Sequence, residues 1–431
     1  MMITKTLFQT LTQLFLAAAA AVLTITPVHA GQVGTCKQMF GKRSSEKTTL
    51  IFVADNGTYS GTDEGIFVKA NLKNIKNWTS FDFSCTGGAQ SGLLMGQKVM
   101  IITTGIGPMQ AAVCVQYVML QCPNQYKEAF FMGTAGFPST FGGILNPQKS
   151  CTETNIYRNS SQIVRLGDLC ISVFAANWDC RLADWSQQAK GYPNVCSAPE
   201  ETFGPTADFL YGKCLFTSPP KKSMALAAEL ATAARSASMK ASMPPRIKAL
   251  APYETQYWKY VEEGTGVTYD VYPENDTTTN VWDHTQCVEV DSQFFFSGAP
   301  WEYETRNFTA ITLNQGFNTD TYQSDAVMYS NAMEAIGFSQ VMEAFTLKAG
   351  PKKAIPYTVM RSASDYSVQP LRYLGGGNWT YYDLPSDNVD GYAQAIVSYS
   401  NAFLTLFKTR CEFMSMSGSI CKFKVDTAIL P

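Results

Sequence analysis

The stretch VMIITTGIGPMQAAV, Val99–Val113, decides the fold that we predict for this chain. An apolar, β-branched run that indicates a buried strand passes directly into Gly-Ile-Gly, and a run with helical composition follows. Pro108 suits the first helical position, where a missing N–H costs no hydrogen bond, and Gly107 can precede it as the cap. A strand that turns so sharply into a helix indicates an α/β layer fold.

The sequence on either side of this turn predicts a βαβ unit. The helix runs from Pro108 to Leu120, and EAFFMG, residues 128–133, has the composition of the next buried strand. Strand, helix and strand in about 35 residues predict a parallel pair joined by a right-handed crossover. We expect these two strands to be neighbours, so that their carboxyl ends form a crevice of the kind in which α/β sheets bind ligands.

The alternation of strands and helices continues to the end of the chain. Further strands are predicted at 49–54 (TLIFVA), from Leu166 (LGDLCISVFAA), within SQFFFSGAP and ending at Gly298, and at 355–365 (IPYTVMRSASD). Further helices are predicted at 223–241, at 332–350 and at 390–411. This pattern predicts a three-layer α/β/α sandwich with a central mixed sheet.

We interpret residues 1–30 as a secretory signal peptide. A short basic start and an apolar run lead to small residues around His29, and cleavage is expected before Gly31. An N-terminal membrane anchor is the alternative. No later stretch is apolar enough to span a bilayer, so no membrane partner is expected after cleavage. Residues 31–431 then form a single domain with long surface insertions, at about 138–165, 186–222, 242–290 and 299–325.

Cysteines and glycosylation sequons agree with export. All 12 cysteines follow the predicted cleavage site, which favours disulfide bonds in an oxidising compartment. Cys411 with Cys421 is the favoured pair, and Cys180 with Cys196 is the second. Six N-x-S/T sequons begin at Asn56, Asn77, Asn159, Asn275, Asn307 and Asn378. Together these features predict a glycoprotein that is secreted, vacuolar or located in the cell wall or extracellular space.

The charge and the histidine count exclude several functions. The formal net charge is −2 and there is no basic block, so nucleic acid is not an expected partner. His284 is the one histidine of the predicted mature chain, which excludes a zinc site with two or three histidines. A Ser-His-Asp triad would have to use His284, which lies in the polar loop VWDHTQC. The acid and base of an enzyme are therefore expected to be carboxylates, with no cofactor.

The Gly-Ile-Gly turn presents backbone N–H groups at the positive end of a helix, which favours an anion or a polar oxygen. A plain tight turn without a ligand explains the same residues. A dinucleotide fingerprint would need a third glycine, where Gln110 stands. The second bend, MGTAGF at 132–137, strengthens the case for a ligand because it follows the next predicted strand.

Two further segments should face the same edge of the sheet. NAMEA places Met333 and Glu334 at the start of a helix, and RSASD places Arg361, Ser364 and Asp365 just past a strand. A carboxylate at the end of a buried strand is costly unless it is solvated or paired. For Asp365 alone, a helix cap or a salt bridge with Arg361 is the alternative interpretation.

The segments TTGIG, GTAG, GDLCIS, SG, AMEA and RSASD occur in an order and spacing that resemble the purine nucleoside phosphorylase superfamily. The chain is most similar to its nucleosidase branch and to the related bark-storage-type proteins of plants. The resemblance implies cleavage of the N-glycosidic bond of a purine nucleoside, which is the expected small-molecule partner, and self-association into a homo-oligomer. It covers about 49–145, 166–185, 223–241, 290–298 and 326–410.

The resemblance implies a role for each matching residue. Asp365 matches the acid that protonates or hydrogen-bonds the purine N7, and Ser364 helps to place it. Met333 and Glu334 match the pair that holds the ribose, and Arg361 is counted among the substrate-binding residues. Two bends complete the pocket: Gly105, Ile106 and Gly107 at the phosphate or water end, and Ala135 and Gly136 beside the base.

Hydrolysis is favoured over phosphorolysis. Phosphorylases of the superfamily hold phosphate with arginines from the N-terminal half, but this chain has no arginine between Arg43 and Arg158. Residues 108–110 replace the serine that often follows the turn. Nucleosidases place a water-activating glutamate just past the first strand. Here Asp55 is closest to that strand and Glu64 follows, and Glu64 is the predicted second catalytic residue.

A protein with the same fold but little catalysis is the alternative function. Bark-storage-type relatives serve as nitrogen reserves, so a storage or binding glycoprotein also fits this sequence. Release of free base from 5′-methylthioadenosine, adenosine or inosine discriminates between the two functions.

Overall fold

A computed structural model shows the fold. The structure describes residues 46–78, 84–122, 124–138, 140–141, 162–178, 219–236, 259, 279–292, 299–350, 352–367, 371–375, 378–381, 389–414, 416 and 418–430. The predicted signal peptide, the second predicted cysteine pair and the sequons at Asn159 and Asn275 lie outside these residues.

A mixed sheet of 11 strands forms the centre of the molecule. The described strands are β1 Thr48–Val53, β2 Lys73–Trp78, β3 Ala89–Leu94, β4 Gln97–Thr103, β5 Tyr126–Phe137, β6 Thr140–Phe141, β7 Gln162–Ile163, β8 Leu169–Ser172, β9 Ala175–Asn177, β10 Val281–Trp282, β11 Cys287–Asp291, β12 Met328–Ala332, β13 Tyr357–Tyr366, β14 Leu371–Gly375 and β15 Asn378–Tyr381. Their order is β10-β8-β13-β5-β1-β4-β3-β2, and β9, β11 and β12 join beside β5. β6 with β7, and β14 with β15, form two small separate sheets.

The strand that leads into the Gly-Ile-Gly turn is β4. Its position relative to β5 in the sheet differs from the prediction in one respect. Both strands run parallel to β1, so they are parallel to each other as predicted. They are not neighbours, because β1 lies between them. Every residue of β1 is buried, which suits an apolar strand in the centre of a parallel region.

Helices cover both faces of the sheet. The described helices are α1 Ile66–Ala70, α2 Pro108–Gln121, α3 Lys221–Ala234, α4 Ala299–Phe317, α5 Ala335–Ala349 and α6 Val389–Phe413. Leu50 and Phe52 of β1 pack in the apolar cluster that includes α2 and α5. Ile51 and Val53, which point to the opposite face, pack in the cluster that includes α1, α3 and α6. The architecture is therefore the predicted three-layer sandwich with a mixed sheet.

Small and aromatic residues bring α2 and α5 close together over the sheet. Phe338 of α5 lies with its ring centroid 5.5 Å from that of Phe52 and 5.4 Å from that of Phe131. A Cβ at Gly337 would overlap the carbonyl oxygen of Pro108, so this approach requires glycine. The helix that follows the Gly-Ile-Gly turn is thus packed against the helix that follows Glu334.

Two stretches in the second half of the chain, predicted to be loops or insertions, contain regular secondary structure. The stretch 299–325, predicted as a loop, contains α4, and the stretch 242–290 contains β10 and most of β11. The strand predicted to end at Gly298 falls on residues 293–298, which lie outside the described part; the described strand before it, β11, ends at Asp291.

The polar composition of α4 explains the wrong loop prediction. Thr309 donates its hydroxyl to the carbonyl oxygen of Thr305 at 2.8 Å, and Thr312 donates to that of Phe308 at 2.8 Å. Hydroxyls that bond back to the preceding turn allow threonine to be buried inside a helix. The composition that indicated a loop is therefore compatible with this packed helix.

Three disulfide bonds lie within the described residues. They join Cys85 to Cys114, Cys170 to Cys287 and Cys411 to Cys421. The favoured pair from the sequence is therefore confirmed. Among the described helices, none is long and apolar enough to cross a membrane.

Candidate active site

A cavity of about 340 Å³ lies at the carboxyl edge of the sheet, where β1, β4, β5, β12 and β13 end. Its described lining is Ala54, Asp55, Tyr59, Glu64, Ile106, Thr134, Ala135, Asn331, Ala332, Met333, Glu334, Arg361, Ser364, Asp365 and Tyr392. The volume is in the range of small-molecule pockets.

Most of the predicted site residues gather around this cavity. Those in its described lining are Glu64, Ile106, Ala135, Met333, Glu334, Arg361, Ser364 and Asp365. Three predicted glycines are not part of the described lining, but each is the sequence neighbour of a lining residue: Gly105 and Gly107 flank Ile106, and Gly136 follows Ala135. His284 is in the turn between β10 and β11, buried beside Phe317, and does not line the cavity.

The Gly-Ile-Gly turn needs both of its glycines. Gly105 has φ 91° and Gly107 has φ 100°, a left-handed region that other residues rarely adopt. The Gly107 N–H donates to Oε1 of Glu334 at 3.2 Å. The sequence predicted an anion or polar oxygen at this helix end, and the structure places a carboxylate of the chain itself there.

Besides the hydrogen bond from Gly107, Glu334 forms a salt bridge with Arg361. Arg361 lies inside β13, not past its end as predicted, and is 1% exposed. Its Nη2 donates to Oε2 of Glu334 at 2.8 Å, and its Nε donates to Oε1 of Glu289 at 2.9 Å. The guanidinium also lies over the Phe131 ring, 4.9 Å from the centroid. Arg361 therefore pairs with Glu289 and Glu334 rather than with Asp365.

Glu64 reaches the cavity from the loop after β1. Its Oε2 accepts the N–H groups of Ala54 at 2.8 Å and Asp55 at 3.1 Å. Its Oε1 accepts the N–H of Thr134 at 3.0 Å, so the carboxylate joins the ends of β1 and β5. Burial raises the pKa of Glu64, while the nearby Arg361 guanidinium opposes that rise.

Asp55, the other candidate for the base, shapes the loop instead. Its Oδ1 accepts the N–H groups of Gly57 at 3.1 Å and Tyr59 at 3.2 Å. Its Oδ2 accepts the N–H of Ser60 at 2.8 Å and the Ser60 hydroxyl at 2.7 Å. These bonds occupy both oxygens within the loop itself, so Glu64 is the better placed of the two acids.

Asp365 has fewer partners than Glu64. The Ser364 hydroxyl lies 2.7 Å from its Oδ1, where it can donate a hydrogen bond. Burial raises the pKa of Asp365, and the bond from Ser364 opposes that rise. A carboxyl group in this environment keeps its proton to a higher pH than an ordinary aspartate.

Several residues of the site were missed from the sequence. Tyr59 and Tyr392 line the cavity, and Tyr392 comes from the first turn of α6, where a single tyrosine gives no distinctive signal. Glu289 and Asp291 were missed although a signal existed. Two acids in the otherwise β-branched run CVEVD indicate paired buried carboxyl groups, because unpaired ones are costly.

The described lining of the cavity is strongly acidic. It contains the four carboxyl groups of Asp55, Glu64, Glu334 and Asp365, and its one cation is Arg361, already paired with two carboxylates. Within the described part of the chain, no group of three or more His, Cys, Asp or Glu side chains could hold a metal ion. The chemistry that this arrangement offers is therefore carboxylate acid–base chemistry on a small ligand.

Comparison with known proteins gives structural neighbours but no family match. No family model and no curated protein matches the chain. One similar structure is the 5′-methylthioadenosine/S-adenosylhomocysteine nucleosidase of Neisseria meningitidis with methylthio-immucillin-A. It is 14% identical, with a TM-score of 0.39, over 84% of this chain and 97% of that one.

Two further structures give the same level of similarity. The adenine complex of the corresponding nucleosidase from Colwellia psychrerythraea is 15% identical, with a TM-score of 0.38, over 84% of this chain and 94% of that one. The futalosine hydrolase of Helicobacter pylori is 13% identical, with a TM-score of 0.39, over 84% of this chain and 97% of that one. Because these TM-scores are low, we base the fold and the site on this chain's own residues.

Proposed function

We propose that this protein hydrolyses the N-glycosidic bond of a purine nucleoside. Asp365 is the acid toward the departing base, Glu334 binds the ribose hydroxyls, and Glu64 is the base that activates water. One observation carries the proposal: these three acids, far apart in the sequence, line the same cavity of about 340 Å³. The motif resemblance in the sequence supports the same assignment of roles.

The reaction follows from the two carboxyl groups. As the bond between C1′ and N9 breaks, its electron pair moves into the purine, and the Asp365 carboxyl proton passes to N7. Glu64 takes a proton from the attacking water, whose oxygen forms the new bond to C1′. A carboxyl group with a raised pKa suits the acid role of Asp365. Burial also raises the pKa of Glu64, but Arg361 and the backbone N–H bonds oppose that rise and favour the ionised form that a base needs. The Glu334 carboxylate favours the positive charge that develops on the sugar.

Water is favoured over phosphate by the charge of the cavity. A phosphate dianion would enter beside the four carboxyl groups of the lining and meet one arginine whose charge Glu289 and Glu334 already balance. Phosphate sites in proteins rely on cations that are available for bidentate bonds. A neutral water molecule avoids this repulsion.

The setting of the enzyme belongs to the same proposal. The signal pattern, cysteines and sequons support a secreted, vacuolar or extracellular glycoprotein with a single domain after residue 30. The exposed side chains of Met109, Val113 and Leu120 on α2 support self-association into a homo-oligomer.

Incubation with 5′-methylthioadenosine, adenosine and inosine, with and without phosphate, tests the function. We expect release of free base that does not need phosphate. Asp365→Asn should lower the rate by about 10²-fold or more, because loss of a general acid has an effect of that size. Asp320→Asn, at an exposed position, is the control and should match the wild type. Release of no base from the folded protein would favour the storage or binding alternative.

A further inference from the structure

A pair of buried acids lies behind the cavity and has no role in the proposed reaction. Glu289 and Asp291 belong to β11, and both are 0% exposed. Neither residue is part of the described cavity lining. Since charged groups are costly to bury, their contacts should explain why they are there.

Arg361 connects this pair to the cavity. Its Nε donates to Glu289 at 2.9 Å, and its Nη2 donates to Glu334 at 2.8 Å. The guanidinium is planar and its N–H groups point in fixed directions. A carboxylate bound on the Nε side therefore determines where the Nη2 group points, and with it the position of the Glu334 carboxylate.

Glu289 is held firmly on its other side. The Ser330 hydroxyl donates to its Oε2. Asp291 lies two positions further along β11, on the same face of the strand. Asp291 accepts the N–H of Ile336 at the start of α5. Burial first, and the charge of Glu289 second, raise the pKa of Asp291 well above its usual range.

We propose that Glu289 is a positioning residue for nucleoside binding, which acts through Arg361 to fix the carboxylate of Glu334. This inference rests on the proposed function. Gly107 occupies one position on Oε1 of Glu334, and Arg361 occupies one on Oε2. The Met333 N–H also donates to Oε2, at 3.4 Å. Oε1 keeps a further acceptor position in a fixed place, which suits a hydroxyl of a ribose.

The test compares a ligand that has a ribose with one that has none. Formycin A, a C-nucleoside whose C–C linkage resists hydrolysis, and adenine are titrated calorimetrically into the wild type and Glu289→Gln. Glu334 would contact only the sugar, so the substitution should weaken formycin A about tenfold, the loss expected for a misplaced charged hydrogen bond. The affinity for adenine should not change.

Glu128→Gln is the matched control. Glu128 is also buried, and it also pairs with an arginine, Arg410, that bridges to a second carboxylate, Glu229. This group lies near the start of β5, at the opposite edge of the sheet. Glu128→Gln should leave both affinities unchanged.

Several results would overturn the inference. Equal weakening of both ligands in Glu289→Gln would indicate a general structural effect, and unchanged formycin A binding would exclude positioning. If Glu289→Gln does not fold, Ser330→Ala, which removes one bond to Glu289, should weaken formycin A alone, and an unchanged affinity would refute the proposal.

A wild type that binds neither ligand would refute the proposed function. In that case a stability measurement, which needs no ligand, tests whether Glu289 positions Glu334. Urea unfolding of Glu289→Gln, Glu334→Gln and the double variant measures the coupling between the two acids. Because Arg361 joins them, the shift in the unfolding midpoint of the double variant should differ from the sum of the single shifts. Additive shifts would exclude positioning of Glu334 by Glu289.

Discussion

Glu64 and Asp365 are both carboxyl groups beside the cavity, Glu64 buried and Asp365 half-buried, and their neighbours differ. Glu64 accepts backbone N–H groups from the ends of two strands, whereas Asp365 is bonded by the hydroxyl of Ser364. Bonds that donate to the charged form favour ionisation, and so does a nearby guanidinium. Two acids whose surroundings differ in this way are suited to opposite roles in one reaction.

The pH dependence of cleavage should show the titration of both acids, one on each limb of the profile. Glu64 must be ionised to act as a base, so kcat/KM should fall as the pH is lowered through its raised pKa. Asp365 must be protonated, so kcat/KM should also fall as the pH is raised through its raised pKa. Glu64→Gln should lower the rate by about 10²-fold and remove the acid limb of the profile.

Steady-state rates of adenine release across the pH range check this expectation. Glu412→Gln, in the last turn of α6 and away from the cavity, is the control and should keep both limbs. A Glu64→Gln profile with the same acid limb as the wild type would show that another group is the base.

At the scale of the elements, the contact between α2 and α5 joins the Gly-Ile-Gly turn to Glu334. In Gly337→Ala, the new Cβ would overlap the carbonyl oxygen of Pro108, and backbone cannot move as a side-chain end can. We expect a loss of about 1–3 kcal/mol in the free energy of unfolding, the usual range for overpacking. Urea unfolding measures this loss.

Gly418→Ala gives the matched control. No described atom lies within 4 Å of a Cβ built at Gly418, so its unfolding midpoint should stay at the wild-type value. An equally small shift in Gly337→Ala would show that α2 and α5 are not held as closely as described.

Local patterns predicted the elements well, and long-range pairing was predicted poorly. The strand, turn and helix around Gly105 follow from residues next to one another in the chain. The place of β1 between β4 and β5 depends on pairing between distant segments, which no local pattern records. The site shows the same division. Glu334 and Asp365 stand in recognisable motifs, whereas Glu289 becomes part of the site through Arg361, which no motif indicates.

At the scale of the whole molecule, the disulfides close loops of very different length. Cys170 and Cys287 are separated by 117 positions, and Cys411 and Cys421 by 10. In the chain-entropy account, a longer loop restricts the unfolded chain more, with stabilisations of about 5 and about 3 kcal/mol for these two lengths. The long-range bridge joins β8 to β11, which otherwise belong to distant parts of the chain.

Removal of each bridge by paired Cys→Ala substitution should therefore have unequal effects. The variant without Cys170–Cys287 should lose about 2 kcal/mol more in the free energy of unfolding than the variant without Cys411–Cys421. Urea unfolding of both variants under the same conditions measures the difference. A greater loss in the Cys411–Cys421 variant would contradict the loop-length account for this fold.

The contacts of α6 determine when the cavity can exist during synthesis. The Tyr399 hydroxyl donates to the main-chain oxygen of Glu64 at 2.7 Å, across 335 positions of sequence, and Tyr392 forms part of the cavity wall. A nascent polypeptide emerges from the ribosome starting at its N-terminus, so Glu64 is released long before its partner. The pocket therefore cannot close until translation is almost complete, and a product truncated ahead of α6 would carry most of the sheet without a finished cavity.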